Sequence, residues 1–242
     1  MSARIGNVVI ESPDPEGLAA FYGAVLGMRV VREDWLVIAR DAESTPRLAF
    51  DPAADYHRPR WPDPDHPAQV HLDIAVPDAA AADEAVLRLG ASRLPDMGDY
   101  RSYEDPTGHP FCLYTDTGAE GGPLPGRIGR IVFDCLSPTV LAAFYQGLLG
   151  MHLFAGGPRR VTLAGEEGSP MLAFQATQHV PPRWPDPAHP QHLHLDIGVD
   201  HGRAAGELAT RLGAMPLVPM GGSCPVFADP SGHPFCLCGP GE

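Results

Sequence analysis

The chain has 242 residues, 44% of them hydrophobic and 19% charged, enough apolar material for a sizeable core in one or two domains. Its formal net charge of -13 argues against nucleic acid, which demands a surplus of basic side chains, and disfavours an anionic membrane surface. There is no apolar run long enough to span a bilayer, the start reads at once as a strand rather than a leader, and the five cysteines have no paired spacing, so a reduced, cytoplasmic setting is expected.

In chain order, RIGNVVIES at Arg4–Ser12 alternates like a strand. Leu18, Phe21, Tyr22, Val25 and Leu26 then follow the spacing of an amphipathic helix, with Asp14 as its cap, Pro15 in its first turn and Gly27 as a left-handed end. MRVVRE, WLVIAR and RLAFD follow as three strands, giving a βαβββ order. The order starts again with QVHLDIAV, a helix capped by Asp78 and ending at Gly90, and short strands leading to PFCLYT. A Gly/Pro-rich linker, Thr117–Gly126, precedes a second half with Leu141, Phe144, Tyr145, Leu148 and Leu149 as its first helical stripe. Residues 1–116 and 127–242 are thus expected to be two tandem domains of two modules each.

The halves share phrases in register. RWPDP recurs at Arg60–Pro64 and Arg183–Pro187, and HLDI at His71–Ile74 and His194–Ile197, both displaced by 123 positions. DP-x-GHPFCL recurs from Asp105 and from Asp229. Together with FYGAVLGM and FYQGLLGM, these phrases resemble the vicinal oxygen chelate superfamily, which includes glyoxalase I, bleomycin-resistance proteins and extradiol dioxygenases; more narrowly, they resemble its glyoxalase-like domains. The resemblance implies an α+β fold of four βαβββ modules in two tandem domains, each a curved mixed sheet around a cleft with helices outside. It implies the fold more specifically than the activity, because relatives include lyases, isomerases, oxygenases and plain binding proteins. The closing phrase reads as a hairpin, with Asp-Pro-x-Gly supplying the turn.

Alternation assigns faces. Val70, Leu72, Ile74 and Val76 meet the helices, so His71 and Asp73 enter a cleft; His194 and Asp196 do the same in the second copy. Asn7, Val9 and Glu11 face a cleft from the first strand, as do Arg130, Val132 and Asp134 from its counterpart. From the closing strands come Cys112 and Tyr114, and Cys236 and Cys238. Metal-binding relatives carry ligands on the first and fifth strands, sometimes the fourth, and a glutamate on the last. Mapped half by half, the resemblance offers Asn7, His71 and Cys112 with Asp51 in one domain, and Arg130, His194 and Cys236 with Gln175 in the other. Amide, guanidinium and thiol in those slots make a poor set for a divalent ion, so no metal cofactor is expected; Asp51, His71 and Cys112 are the alternative metal set.

The expected function is a metal-independent module holding a small organic molecule, with a detoxification or resistance role among those the family suggests. His71 or His194 would act as acid/base, oriented by Asp73 or Asp196, with Trp61 or Trp184 covering the ligand. Arg130 must meet Asp134, Asp196 or an anionic ligand, while His109 and His233 belong to turn geometry. The other readings are a metal-dependent enzyme of glyoxalase or dioxygenase type centred on His71, and a structural module with vestigial clefts. No nucleic-acid or membrane partner is expected, the assembly being a monomer or homodimer. Whether modules pair within or across the halves is left open by the sequence.

Overall fold

The computed structural model describes residues 2–240 apart from 62, 64–67, 97, 99, 119–120, 179–180, 184–185, 187–189 and 219–222. The first module runs β1 (Ala3–Ser12), α1 (Pro15–Leu26), β2 (Arg29–Arg32), β3 (Val37–Ala39) and β4 (Arg47–Pro52). The second runs β5 (Val70–Val76), α2 (Ala79–Arg88), β6 (Ser92–Arg93), β7 (Arg101–Glu104) and β8 (Pro110–Thr115). The third comprises β9 (Arg127–Cys135), α3 (Pro138–Leu149), β10 (His152–Gly156), β11 (Arg160–Ala164) and β12 (Met171–Ala176). The fourth comprises β13 (Leu193–Val199), α4 (Gly202–Arg211), β14 (Met215–Pro216), β15 (Val226–Ala228) and β16 (Pro234–Cys238). Among the described residues no helix is long and apolar enough to cross a membrane.

Local signals act as the sequence predicts. The Asp14 side chain accepts from the Gly17 N–H, Pro15 opens α1, and Gly27 closes it at φ 66°. Asp78 caps α2 by accepting from the Ala80 and Ala81 N–H groups.

The modules pair crosswise. One eight-stranded sheet has the order β14-β15-β16-β13-β1-β4-β3-β2, joining the first and fourth modules; the other, β10-β11-β12-β9-β5-β8-β7-β6, joins the second and third. In the seam of the first sheet β1 lies antiparallel to β13, and in the second β5 lies antiparallel to β9. The short link between β8 and β9 accounts for this. β5 bonds β8 in parallel on one side, and the linker delivers β9 to its other side. The first and fourth modules are then left to pair with each other.

The helices lie outside each cleft and fill the space between the two sheets. Tyr22 of α1 stacks on Phe50 of β4 and meets Phe111 of β8 edge-on, so one side chain touches both sheets. In α3, Tyr145 stacks on Phe174 of β12 while Phe144 meets Phe235 of β16. One continuous apolar cluster results, and each sheet keeps a helix-free face on its far side.

The recurring phrases meet in space. The Tyr22 hydroxyl donates to Asp105 Oδ2 at 3.0 Å, and the Tyr145 hydroxyl to Asp229 Oδ2 at 3.1 Å. Each bond ties a helix of one module to the closing turn of the next. Within the turns, Asp105 Oδ1 accepts from the Thr107 and His109 N–H groups, and Asp229 Oδ1 from those of Ser231 and His233. Gly108 and Gly232 take φ 94° and 89°, a conformation that favours glycine. His233 also places Nδ1 3.0 Å from Asp229 Oδ2 and Nε2 3.0 Å from the Asp134 carbonyl, so its role is in the turn, as expected.

Candidate functional site

Each helix-free face carries the same buried group at its seam. In the second sheet, His71 and Asp73 project from β5 beside Cys112 of β8, Asp73 and Cys112 being register partners. In the first sheet, His194 and Asp196 of β13 stand beside Cys236 of β16 in the same relation. In each trio the candidate ligand atoms lie within 4.8 Å of one another. His71 Nε2 is 3.6 Å from Asp73 Oδ1, and His194 Nε2 is 3.6 Å from Asp196 Oδ1.

Burial disfavours the charged imidazole of His71, but hydrogen bonds to Asp73 and Cys112 more than offset it, and its pKa is pushed up to about 10. His194 behaves alike: burial is outweighed by Asp196 and Cys236, and its pKa is again pushed up to about 10. For Asp196 burial is outweighed by His194, whose charge and hydrogen bond hold the carboxyl below its ordinary value.

Crosswise pairing redistributes the remaining cleft residues. Asn7 stands opposite Asp196, not beside His71, and its amide donates to Asp196 Oδ2 at 2.9 Å. Arg130 stands opposite Asp73, not beside His194; its Nη1 is 3.8 Å from Asp73 Oδ2. The carboxylate expected for Arg130 among Asp134 and Asp196 is therefore Asp73. Asp51 belongs to the first sheet, opposite Glu11, so the alternative metal set of Asp51, His71 and Cys112 is split between two sheets.

The two faces consequently differ. Around His194 the surroundings are acidic and amide-rich. Trp35 donates to Asp51 Oδ1 at 2.6 Å, and the Gln191 amide donates to Glu11 Oε1 at 2.7 Å while lying 3.2 Å from His194 Nδ1. Burial raises the Glu11 carboxyl despite that bond and the nearby His194. Arg47, in register with Asn7, turns to the Ala42 carbonyl.

Around His71 the surroundings are cationic and aromatic. Arg130 sits over the Tyr114 ring, 4.4 Å from its centroid, and donates to the Tyr100 hydroxyl at 3.1 Å. Arg160 donates from β11 to Asp73 Oδ2 at 3.2 Å. The Trp61 ring stands 5.6 Å from that of His71. Trp184 lies outside the described residues.

Several of these residues went unmarked in the sequence. Arg160 carried a usable signal, since Val161 and Leu163 pack inward and alternation turns Arg160 and Thr162 to the cleft. Gln191, Trp35 and Tyr100 carried none. Cys238, expected as an inward thiol, is instead bonded to Cys224, with Cα atoms 4.9 Å apart; Cys112, Cys135 and Cys236 are free. The spacing hides this pair because β15 and β16 must first fold together to bring Cys224 back to the strand's end.

No curated protein sequence matches the chain. Among solved structures it is similar to glyoxalase I from Zea mays, with 19% identity and a TM-score of 0.72 over 98% of this chain and 92% of that one. It is also similar to a candidate dioxygenase from Bacillus subtilis, with 15% identity and a TM-score of 0.65 over 98% and 85%. At such identities the likeness establishes the fold. The profile of the glyoxalase-like domain matches twice, at residues 7–114 and 130–238. With two matches spanning most of its length and four βαβββ modules in two mixed sheets, the chain belongs to the glyoxalase-like domain family of the vicinal oxygen chelate superfamily.

Proposed function

We propose that this protein binds a small organic molecule on its helix-free faces, and that the His71 cleft does so without a metal ion. His71 serves there as the proton-donating group toward a ligand oxygen, Asp73 orients it, and Trp61 covers it. The observation carrying this reading is the pair of guanidiniums at Asp73: Arg160 Nη2 at 3.2 Å and Arg130 Nη1 at 3.8 Å. Guanidinium has no lone pair for a cation and keeps its charge when buried, so two of them beside one carboxylate oppose a divalent ion. The donor set at His71 does not fit the superfamily's metal.

The other cleft supports a second reading. His194, Asp196 and Cys236 offer imidazole, carboxylate and thiolate, a set that suits zinc-like ions, and among the described residues no arginine pairs with Asp196. A divalent ion held by these three would supply Lewis-acid polarisation of a ligand oxygen. Asn7 would keep Asp196 oriented through its amide bond.

Two measurements separate the readings. Untagged protein equilibrated with zinc and dialysed is expected to retain about one ion per chain, lost in His194→Gln and kept in His71→Gln. An ion that disappears with His71 instead would reverse the assignment. In a thermal-shift panel of aromatic acids, amides, catechols and keto acids, a binder at saturating concentration should raise the melting temperature by roughly 2–4 °C. That rise should vanish in His71→Gln; the absence of any shift in wild type would sink the binding reading.

A further inference from the structure

All seventeen Lys/Arg positions of this acidic chain are arginine, so a guanidinium in a cleft cannot be silenced by losing a proton. Two of them converge on the helix-free face of the second sheet. Arg130 comes from β9 at the seam. Arg160 comes from β11, which β12 separates from β9, and yet both reach the same oxygen of Asp73. The sheet must therefore curl until its far strands look across the cleft. Asp73 is 1% exposed, whereas the side chains of Arg130 and Arg160 are 19% and 36% exposed, so the guanidiniums and not the carboxylate front the open space.

Their hydrogen-bond donors exceed the acceptors around them. Each guanidinium carries five N–H donors, and among the described residues each makes one hydrogen bond, Arg130 to Tyr100 and Arg160 to Asp73. Asp134, the other carboxylate on this face, accepts from the Gln175 amide at 2.6 Å. Arg130 is also held in place, stacked on Tyr114 and tied to Tyr100, so its remaining donors are pre-oriented at no further entropic cost. The corresponding places on the first sheet hold Asn7 in Arg130's position, and Trp35 as the group bonded to the fourth-strand acid, beside Glu11, Asp51 and Asp196. One duplicated scaffold thus carries one cleft with surplus cationic donors and one with surplus carboxylates.

We propose that the His71 cleft takes a small aromatic oxyanion, whose carboxylate or phosphate is received by Arg130 and Arg160 and whose ring lies against the Tyr100–Trp61 side. The His194 cleft rejects it. This rests on the binding reading above and names the chemical class that the cleft selects. Bidentate recognition by a planar guanidinium suits a carboxylate, and two guanidiniums side by side suit the three oxygens of a phosphate.

The test titrates the full-length protein with benzoate, phenyl phosphate and neutral benzamide at constant ionic strength, by calorimetry and thermal shift. At least one anion should bind at least ten-fold more tightly than benzamide, and the tighter one identifies the group. Arg160→Gln, a half-exposed position on a strand, should weaken that anion at least ten-fold with an unchanged circular dichroism spectrum. Arg130→Met should do the same, while Arg203→Gln, an exposed position on α4, should leave affinity within about two-fold. Equal affinity for benzamide and both anions, or retention of anion binding in a folded Arg160→Gln, would overturn the inference. If neither anion binds but neutral members of the wider panel still shift wild type and not His71→Gln, the oxyanion assignment falls and the binding reading survives. If nothing shifts wild type, both fall.

Discussion

Asp229→Ala is expected to lower the unfolding free energy by about 3–5 kcal/mol, and Asp105→Ala by a comparable amount. Asp229 is 2% exposed, and its carboxylate accepts the Ser231 N–H at 2.8 Å, the His233 N–H at 3.1 Å and the Tyr145 hydroxyl at 3.1 Å, with His233 Nδ1 at 3.0 Å. Truncation to alanine strands all of these buried groups at once and leaves a cavity too small and too crowded by ring faces to be refilled easily. Tyr145→Phe removes a single bond and should cost about 1 kcal/mol. The difference between the two variants isolates the turn from the helix tether. Urea unfolding followed by circular dichroism measures it; an Asp229→Ala cost no larger than that of Tyr145→Phe would mean that the carboxylate does not organise the turn. The consequence for function lies in where the bond runs. Tyr145 sits in the third module and Asp229 in the fourth, so this link and its twin between Tyr22 and Asp105 hold together two sheets whose seams are made of other pairs. A variant that loses the link should bind ligand less tightly without any change to cleft residues.

What could be read from the sequence was local. The cap at Asp14, the left-handed Gly27 and the alternation of Val70–Val76 each depend on residues within a few positions of one another, and each is found. Faces followed from the same period of two, so His71, Asp73, Cys112, His194, Asp196 and Cys236 were all placed correctly on helix-free faces. Which faces met was not local. The choice between pairing β1 with β5 or with β13 is set by strand edges far apart in sequence, and both choices satisfy the same alternation. That one undetermined step moved Asn7 to His194 and Arg130 to His71, and so exchanged the neighbours of the two histidines. Arg160 shows a second gap: alternation gives its direction, but its reach to Asp73 depends on the curl of the whole sheet. Cys224 shows a third, since its partner is set by hairpin closure and not by spacing.

Raising the pH from about 6.5 to about 10 is expected to cost chelator-treated protein several kcal/mol of stability, through His71 and His194 together. Both imidazoles have folded-state pKa values pushed up to about 10, against an ordinary value of 6.5: burial alone would lower them, and the carboxylate and thiol beside each more than compensate. The folded chain therefore holds these protons more tightly than the unfolded chain. The sign follows: the stabilisation is complete below pH 6.5, declines as the unfolded chain releases its protons, and is gone once the pH passes the folded value near 10. Glu11, also raised by burial, acts in the same sense and is common to every variant. Burial pushes the Cys135 thiol up to about 12 from an ordinary value of 9.0, so it adds a further decline above about pH 9 that every variant shares. Melting temperatures measured by calorimetry from pH 6 to 10.5 should fall steeply in wild type. Up to about pH 9 the slope should be roughly halved in His71→Gln or His194→Gln and nearly flat in the double variant, because the two sites lie on different sheets and share no partner. Parallel curves for wild type and double variant would show that neither histidine carries a retained proton, and would remove the proton-donor role assigned to His71.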